Sequence, residues 1–547
     1  MTEATQAPTN HEVLPKDRIP GLVENWRSDV LSGFILFLIA LPLSLGIAIA
    51  SGFPPMAGLF AAIVGGIVVS QTSGSFVTIN GPAAGLIVVI VNCVNNLGGG
   101  SEGYHCTLGA IVISGVILFV LGLLRAGALG VFFPTTVVHG MLAAIGFIII
   151  AKMIPPFLGV PSPGKEPLVI YSKIPDMIAN LNPEITIIGV VSLCILIFFN
   201  LNKNALIKKI PAPLVVVAVG VALGIYFDLQ HPHSYLVHGH SFAIDPKKYL
   251  VVLPPSILDG LTSPNWSKIA SGAFWYSILT IVLIQGIETL LSCAAVDKLD
   301  PYKRTSNLSR DMAAVGLGSA ISGMIGGLPM IAEIVRSTAN VANGAKTRWS
   351  NFFHGLFILI FVAFGAAFID QIPQAALAAL LIVTGYRLAS PKSFKDTFLI
   401  GKEQLALFVI TIVGVLATDL LVGVGIGIAA KFILHFVNGA PVGPNLLVAK
   451  TTVADTPDAS LVTIEGAAIF SNYFSIKRVL DKLPAGKAIT IDLSKVKLID
   501  HSVMEHFHQF ERERTKAGTP VHIIGLDLHK PMSAHPLAAR KLTSKAS

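Results

Sequence analysis

Charge is what this sequence has least of. Only 13% of its 547 residues are Asp, Glu, Lys or Arg, about half of the roughly 25% in an average soluble domain. With 53% hydrophobic residues and 50 glycines, too little polar surface remains to coat an ordinary soluble core. A soluble enzyme and a disordered scaffold are thereby excluded. Cysteine is scarce as well. Cys93, Cys106, Cys194 and Cys293 lie far apart with no CxxC pair, so neither a zinc site nor a disulfide framework is implied. No HExxH or P-loop motif occurs, which leaves an enzyme reading, and a cofactor, without a constellation to stand on. The net charge of +8 is spread along the chain rather than gathered in a patch, against a nucleic-acid partner. Residues 1–30 are polar, mixed in charge and without a signal-peptide pattern, and are expected to form an N-terminal segment ahead of the first span.

Long apolar runs are what the chain has in abundance. About 20 residues at 1.5 Å each cross a ~30 Å hydrocarbon layer. Spans are expected at Leu31–Ala50, Thr107–Arg125, Thr136–Ala151, Thr186–Phe199, Ala212–Tyr226, Phe274–Val296 and Phe352–Phe368. A longer run from Leu405 to about Phe436 breaks near Thr418-Asp419-Leu420. Shorter stretches interrupted by Gly or Pro lie between them: Met56–Ser70, Pro82–Val94, Ala313–Ile325, Ala332–Asn343 and Ala375–Thr384. In a membrane chain these read as half-spans. Both kinds together make a polytopic helical protein of about 14 spans over 31–438. Lys and Arg, among them Arg125, Lys203, Lys208, Lys209, Lys298, Lys303, Arg304 and Arg310, concentrate on one side. Both termini are then cytoplasmic in a bacterial-type inner membrane. After about Pro441 the pattern changes. Strand-like Leu461–Ile464, Ala488–Leu493 and Val521–Gly525 alternate with helical Ser475–Leu483 and Val503–Lys516, a small soluble α/β domain over 446–547.

Two segments share one design. Extended Ser75–Asn80 runs into Gly81-Pro82-Ala83-Ala84 and a short helix; Gly326-Gly327-Leu328-Pro329 leads through Ile331 and Ala332 to another, ending near Asn343-Gly344. Paired interruptions of this kind point to a transporter whose half-helix N-termini face an anion near the midplane. Intramembrane charges agree. Arg336 offers a permanent cation one turn into the second half-helix, with Glu333 three residues earlier. Glu288, with Ser292 one turn on, offers oxygens for Na⁺ or a carboxylate for a proton; no other metal is expected. A purely structural Glu333–Arg336 pair is the bland alternative. Lys152 and Asp419 read as snorkelling or capping groups. His231, His233, His238 and His240 read as histidines of an outer loop.

Taken in order, these residues resemble the SulP anion transporters, relatives of prestin and pendrin. The likeness rests on Ala40-Leu41-Pro42, Gly52 to Leu59, Glu288 to Ser292, Gly326 to Pro329, Arg336 and Gly344 to Thr347. The tail from Asp492 through Ile499-Asp500-His501-Ser502 resembles a STAS domain. The resemblance implies a uracil-permease-like fold of two inverted seven-span repeats, a core and a gate, and a homodimer. It places the anion near Ala83 and Ala332 beside Arg336. An acid at Glu333 and an apolar Leu43 depart from the family's pattern. Ser502 matches the serine that accepts phosphate in some STAS domains, but Val503 replaces the glycine after it, favouring a structural and dimer-organising role. The reading is secondary active transport of a small anion, bicarbonate with Na⁺ or H⁺ first, with sulfate or a C4-dicarboxylate as alternatives. A uracil-type permease is disfavoured by Arg336, and a STAS-based signalling protein by the number of spans.

Overall fold

The structure is a computed structural model and describes residues 14–127, 133–202, 204, 207, 210–237, 240–440, 443–484, 486–516 and 518–543. Lys203, Lys208, Lys209, His238 and Pro441 lie outside them. Among the described residues, seven helices are long and apolar enough to cross a membrane: Arg18–Ala50, Pro55–Thr72, Gly100–Leu123, Thr135–Leu158, Pro183–Leu201, Gly272–Leu299 and Leu420–Val437. Shorter apolar helices are Ala84–Asn96, Ala212–Tyr226 and Trp349–Gly365. Polar residues start several helices: Asn182, Ser271 and Asp419, and Asn307 ahead of Leu308–Met324, each accept a hydrogen bond from a backbone N–H of the following turn. Asp419 opens Leu420–Val437 behind Lys402–Ala417, dividing the expected long run where Thr418-Asp419 predicts.

The chain forms two compact units. The first comprises Met1–Gly127, Pro156–Val160 and Asn180–Leu381. Small residues let its helices approach closely. A methyl on Gly66 would come within 2.5 Å of the Gly355 Cα, so these two helices touch backbone to backbone. At its centre Ile79–Pro82 pairs antiparallel with Met330–Glu333, in the register Ile79–Glu333, Asn80–Ala332, Gly81–Ile331 and Pro82–Met330. This corrects the expectation that a half-helix starts at Ala332. Ala332 lies in the strand, and the helix is Ile334–Ala342. The first half-helix likewise follows an extended Ala83 and a tight turn at Ala84–Leu86, and runs Ile87–Asn96. Pairing wins because extended backbone among apolar helices has no water to satisfy it.

Two buried aspartates fix the ends of this arrangement. Asp311 accepts hydrogen bonds from the Ser73 hydroxyl, the Gly74 N–H (3.1 Å) and the Ser75 hydroxyl (2.6 Å), holding the approach to the first strand. Asp29 accepts from the Lys346 N–H (2.8 Å), the Thr347 N–H (3.2 Å) and the Thr347 hydroxyl, holding the exit from the second half-helix. Between them the Asn340 amide donates to the Val77 carbonyl (2.8 Å), and the Ile79 N–H donates to the Ser337 hydroxyl (2.9 Å). On the same unit, His233–Val237 and His240–Ile244 form a hairpin, with His231 paired to Asp228 at 2.6 Å.

The second unit comprises Ala128–Pro155, Pro161–Ala179 and Ile382–Ser547. Its C-terminal sheet has the order Lys450–Asp455, Ala459–Ala468, Ala488–Ile499, Arg540–Leu542, His529–Pro531, with Val521–Ile524 also on Ala488–Ile499. The pairs that Ala488–Ile499 makes with Ala459–Ala468 and with Val521–Ile524 are parallel. Helices Phe470–Asp481 and His501–Lys516 cover a core that includes Val462, Ile464, Leu480, Ile489, Ile491, Leu493 and Phe507. The three apolar strands agree with the sequence pattern; Lys450–Asp455, His529–Pro531 and Arg540–Leu542 carry no apolar run and escape it.

Loss of the Asp311 carboxylate leaves the Gly74 N–H and the buried Ser73 hydroxyl without an acceptor, and the Ser75 hydroxyl with only the Cys293 sulfur at 3.7 Å, at about 1–3 kcal/mol per buried group left unpaired. Asp311→Ala is expected to lower stability by about 2 kcal/mol or more, and Asp311→Asn by less, because its amide oxygen still accepts. The midpoint of thermal unfolding in detergent checks this; an unchanged midpoint in Asp311→Ala would mean that strand pairing alone fixes the segment.

Candidate functional site

The site is built where the two strands turn into their helices. Arg336 is the third residue of Ile334–Ala342 and only 1% exposed. Its Nη2 donates to the Pro82 carbonyl at 3.3 Å, while Nε and Nη1 have no partner. A side chain on Gly81 would stand 2.7 Å from Nη1, so glycine there makes room for the guanidinium. A cation placed among apolar helices with two unused donor groups is costly unless an anion meets it.

One carboxylate, Glu333, lies close enough to Arg336 for their charges to interact, and a second, Glu288, lies close enough to Glu333. Glu333 occupies the N-cap position of the Arg336 helix without capping it, and its Oε1 is buried without a partner. The helix therefore presents uncapped N–H groups. No ion pair or hydrogen bond joins Glu333 to Arg336, so the purely structural pair is not formed, although their charges are near enough to interact. Glu288, on Gly272–Leu299, is buried, and neither of its carboxylate oxygens has a hydrogen-bond partner. Its carboxylate lies against the turn Ala84–Leu86: a methyl on Gly85 would overlap both oxygens. Ser292 is buried one turn on, and no hydrogen bond connects it to Glu288.

One further buried group escaped the sequence reading. His354 is fully buried with both ring nitrogens unpartnered, close enough to Arg336 for their charges to interact. The signal was present: a histidine inside an apolar span three residues after Asn351, whose amide donates to Asn80 Oδ1 at 3.2 Å and to the Gly65 carbonyl at 3.3 Å. Gly65 opens a π-helical stretch, Gly65–Val69, a local widening frequent at functional sites. Gln285 positions the second strand by donating to the Met330 carbonyl (2.8 Å) and Ser319 (2.5 Å), leaving its Oε1 free. Thus Gly81, Pro82 and Arg336 are in contact, Ile331 and Ala332 form the partner strand, and Ala83 and Ala84 open the first helix beside Glu288. Among the described residues no cluster of His, Cys, Asp or Glu is arranged to hold a metal ion.

Comparison with known proteins agrees with this architecture. Residues 26–411 match the model of the sulfate permease family. The chain is 24% identical over 490 residues to the putative sulfate transporter YvdB of Bacillus subtilis, covering 88% of each chain. It is 24% identical over 415 residues to the bicarbonate transporter BicA of Picosynechococcus sp., covering 75% of this chain and 70% of that one. Its fold is similar to the transmembrane domain of a cyanobacterial BicA, with TM-score 0.62 and 22% identity over 73% of this chain and 98% of that one. It is also similar to SLC26A9, with TM-score 0.65 and 16% identity over 92% of this chain and 85% of that one. A polytopic helical fold and a family match over most of its length lead to one assignment: the chain belongs to the sulfate permease family, whose members are anion transporters rather than enzymes.

Proposed function

We propose that the chain takes up a small monovalent anion, bicarbonate first, by secondary active transport coupled to Na⁺ or H⁺. The observation that carries this reading is a buried guanidinium with two unused donor groups near a carboxylate, Glu333, whose Oε1 has no donor of its own. Arg336, with the uncapped start of its helix, supplies the positive field for the anion. Gly81, Pro82, Ala83, Ala84, Ile331 and Ala332 wall the cradle with backbone. An unpartnered carboxylate cannot stay ionised and dry at low cost, so occupancy of Glu288 by a proton, or by Na⁺ shared with Ser292, is linked to that of the anion. Glu333 is the second coupling candidate.

A second negative charge on the cargo would face Glu333 and Glu288 across a single Arg, which favours a monovalent anion. Sulfate is the alternative supported by the similarity to YvdB, and a C4-dicarboxylate is a third cargo. In this reading residues 31–438 make about 14 spans in two inverted repeats, both termini are cytoplasmic in a bacterial-type inner membrane, and two chains form a homodimer. Residues 446–547 are a STAS-type domain with a structural role.

Uptake of labelled bicarbonate, sulfate and succinate into proteoliposomes, with and without Na⁺ or H⁺ gradients, tests the whole assignment. Bicarbonate uptake driven by one of the gradients is expected; sulfate or succinate uptake alone would replace the cargo. Arg336→Gln is expected to weaken uptake at limiting substrate by about 30-fold or more, the loss of a desolvated ion contact of ~2–5 kcal/mol. Near-normal uptake would make Arg336 structural. Glu288→Gln should abolish stimulation by the cation gradient while anion-for-anion exchange persists. Gly85→Ala, which drives a methyl into the Glu288 carboxylate, should reproduce that loss of coupling; normal coupling in both variants would move the coupling site to Glu333.

A further inference from the structure

The second unit holds a buried charge that the anion site does not use. Helix Leu420–Val437 ends in Lys431, Phe432 and His435, with Lys431 and His435 one turn apart on the same face. Lys431 is 1% exposed and His435 2%, as is Asp500 at 1%. The Lys431 Nζ stands 3.9 Å from Asp500 Oδ2, and the His435 Nε2 3.3 Å from the same oxygen. Lys431 also donates to Gln404 Oε1 at 3.5 Å, and that oxygen accepts from the Thr136 hydroxyl at 2.8 Å.

Asp500 belongs to the C-terminal domain and serves it too. Its Oδ1 accepts from the Val503 N–H and its Oδ2 from the Phe470 N–H, both at 2.9 Å. One carboxylate therefore caps the starts of both domain helices while facing the cation of the last apolar helix. Burial opposes its ionisation, yet Lys431, His435 and the Val503 N–H outweigh burial and hold the Asp500 carboxyl below the ordinary carboxylate range. Aromatic packing surrounds the charges, with the rings of Phe432 and Phe470 5.0 Å apart and those of His435 and Phe470 5.7 Å apart. Two more contacts reach other helices of the same unit. The Thr135 N–H lies 3.3 Å from the Ser502 Oγ, and the Ser533 hydroxyl donates to the Ile400 carbonyl at 2.5 Å.

A flexible appendage needs only its linker. A lysine and an aspartate withdrawn from water need each other, and removal of one strands the other. We infer that Lys431, His435 and Asp500 form a latch that keeps the C-terminal domain docked on helices Thr135–Leu158, Lys402–Ala417 and Leu420–Val437 throughout the working cycle. The domain then travels with these helices instead of releasing them. Ser502, fully buried against Thr135, is closed to a kinase in that state, so the latch also explains why a phosphate-accepting position is structural here. The latch extends the structural role proposed for this domain, and its first test does not depend on the transport assignment.

The first test is a double-mutant cycle on the full chain, with Lys431→Met, Asp500→Asn and both together, read by the rate at which limited proteolysis releases the C-terminal domain. Each single variant should raise that rate about tenfold or more, and the double variant should raise it no more than Asp500→Asn alone, because the Asn amide loses one helix cap with or without Lys431 while no buried charge is left unpaired. Singles that behave like the parent, or a double that loses the product of both effects, would overturn the latch. The second test needs no disruption of the charges. Thr135→Cys with Ser502→Cys, in a Cys194→Ser background, is oxidised in the membrane and assayed in proteoliposomes. Formation of the disulfide with uptake at more than about half the reduced rate is expected. Failure to cross-link, or a block of uptake relieved by reductant, would show that the domain undocks. A parent that transports none of the anions offered would sink the transport reading while leaving the first test decisive.

Discussion

Extended backbone in the middle of an apolar helical bundle must find its own hydrogen-bond partners, because no water is there to supply them. The pairing of Ile79–Pro82 with Met330–Glu333 meets that constraint, and the rest of the first unit depends on it. It brings together two interruptions that lie far apart in the chain and starts a helix from each. It fixes Arg336 beneath the Pro82 carbonyl, a contact between residues 254 positions apart. The buried Asp29 and Asp311 then act on the chain just outside the strands, where serine, threonine and backbone donors converge on one carboxylate each.

Once that frame is set, charge becomes affordable in only a few places. Arg336 sits where glycine leaves space and a carbonyl takes one of its donors; Glu288 sits where Gly85 leaves space on the other half-helix. Each polar group is given room but not full satisfaction. A fully paired network would be a rigid structural element. This one keeps donors and acceptors unused, the condition for a ligand to supply the missing contacts.

The second unit solves a different problem with similar means. A soluble sheet must be joined to apolar helices, and the join is made by groups that tolerate only one docking geometry. Asp500 already caps two helices, so its position is fixed by the domain's own fold before Lys431 meets it. Charge here gives register rather than raw stability, since an apolar pair of similar size would hold as well.

Composition and hydropathy alone determined the membrane class, apolar helices at most of the runs from Leu31–Ala50 to the one ending near Phe436, the break at Thr418-Asp419, and the α/β character of the tail. These follow from local properties: apolar length, capping residues and alternation with period two or 3.6. The ordered motifs also carried the family. The strand at Met330–Glu333 was not legible, because four residues are extended there only when a distant segment offers them partners. His354 and Lys431 each stood in the sequence as a polar residue in an apolar run, without a sign of what it faces. The neighbours of Arg336, the space beside Glu288 and the join at Asp500 were decided by tertiary structure alone, because each is a contact between segments whose separation along the chain carries no information about distance.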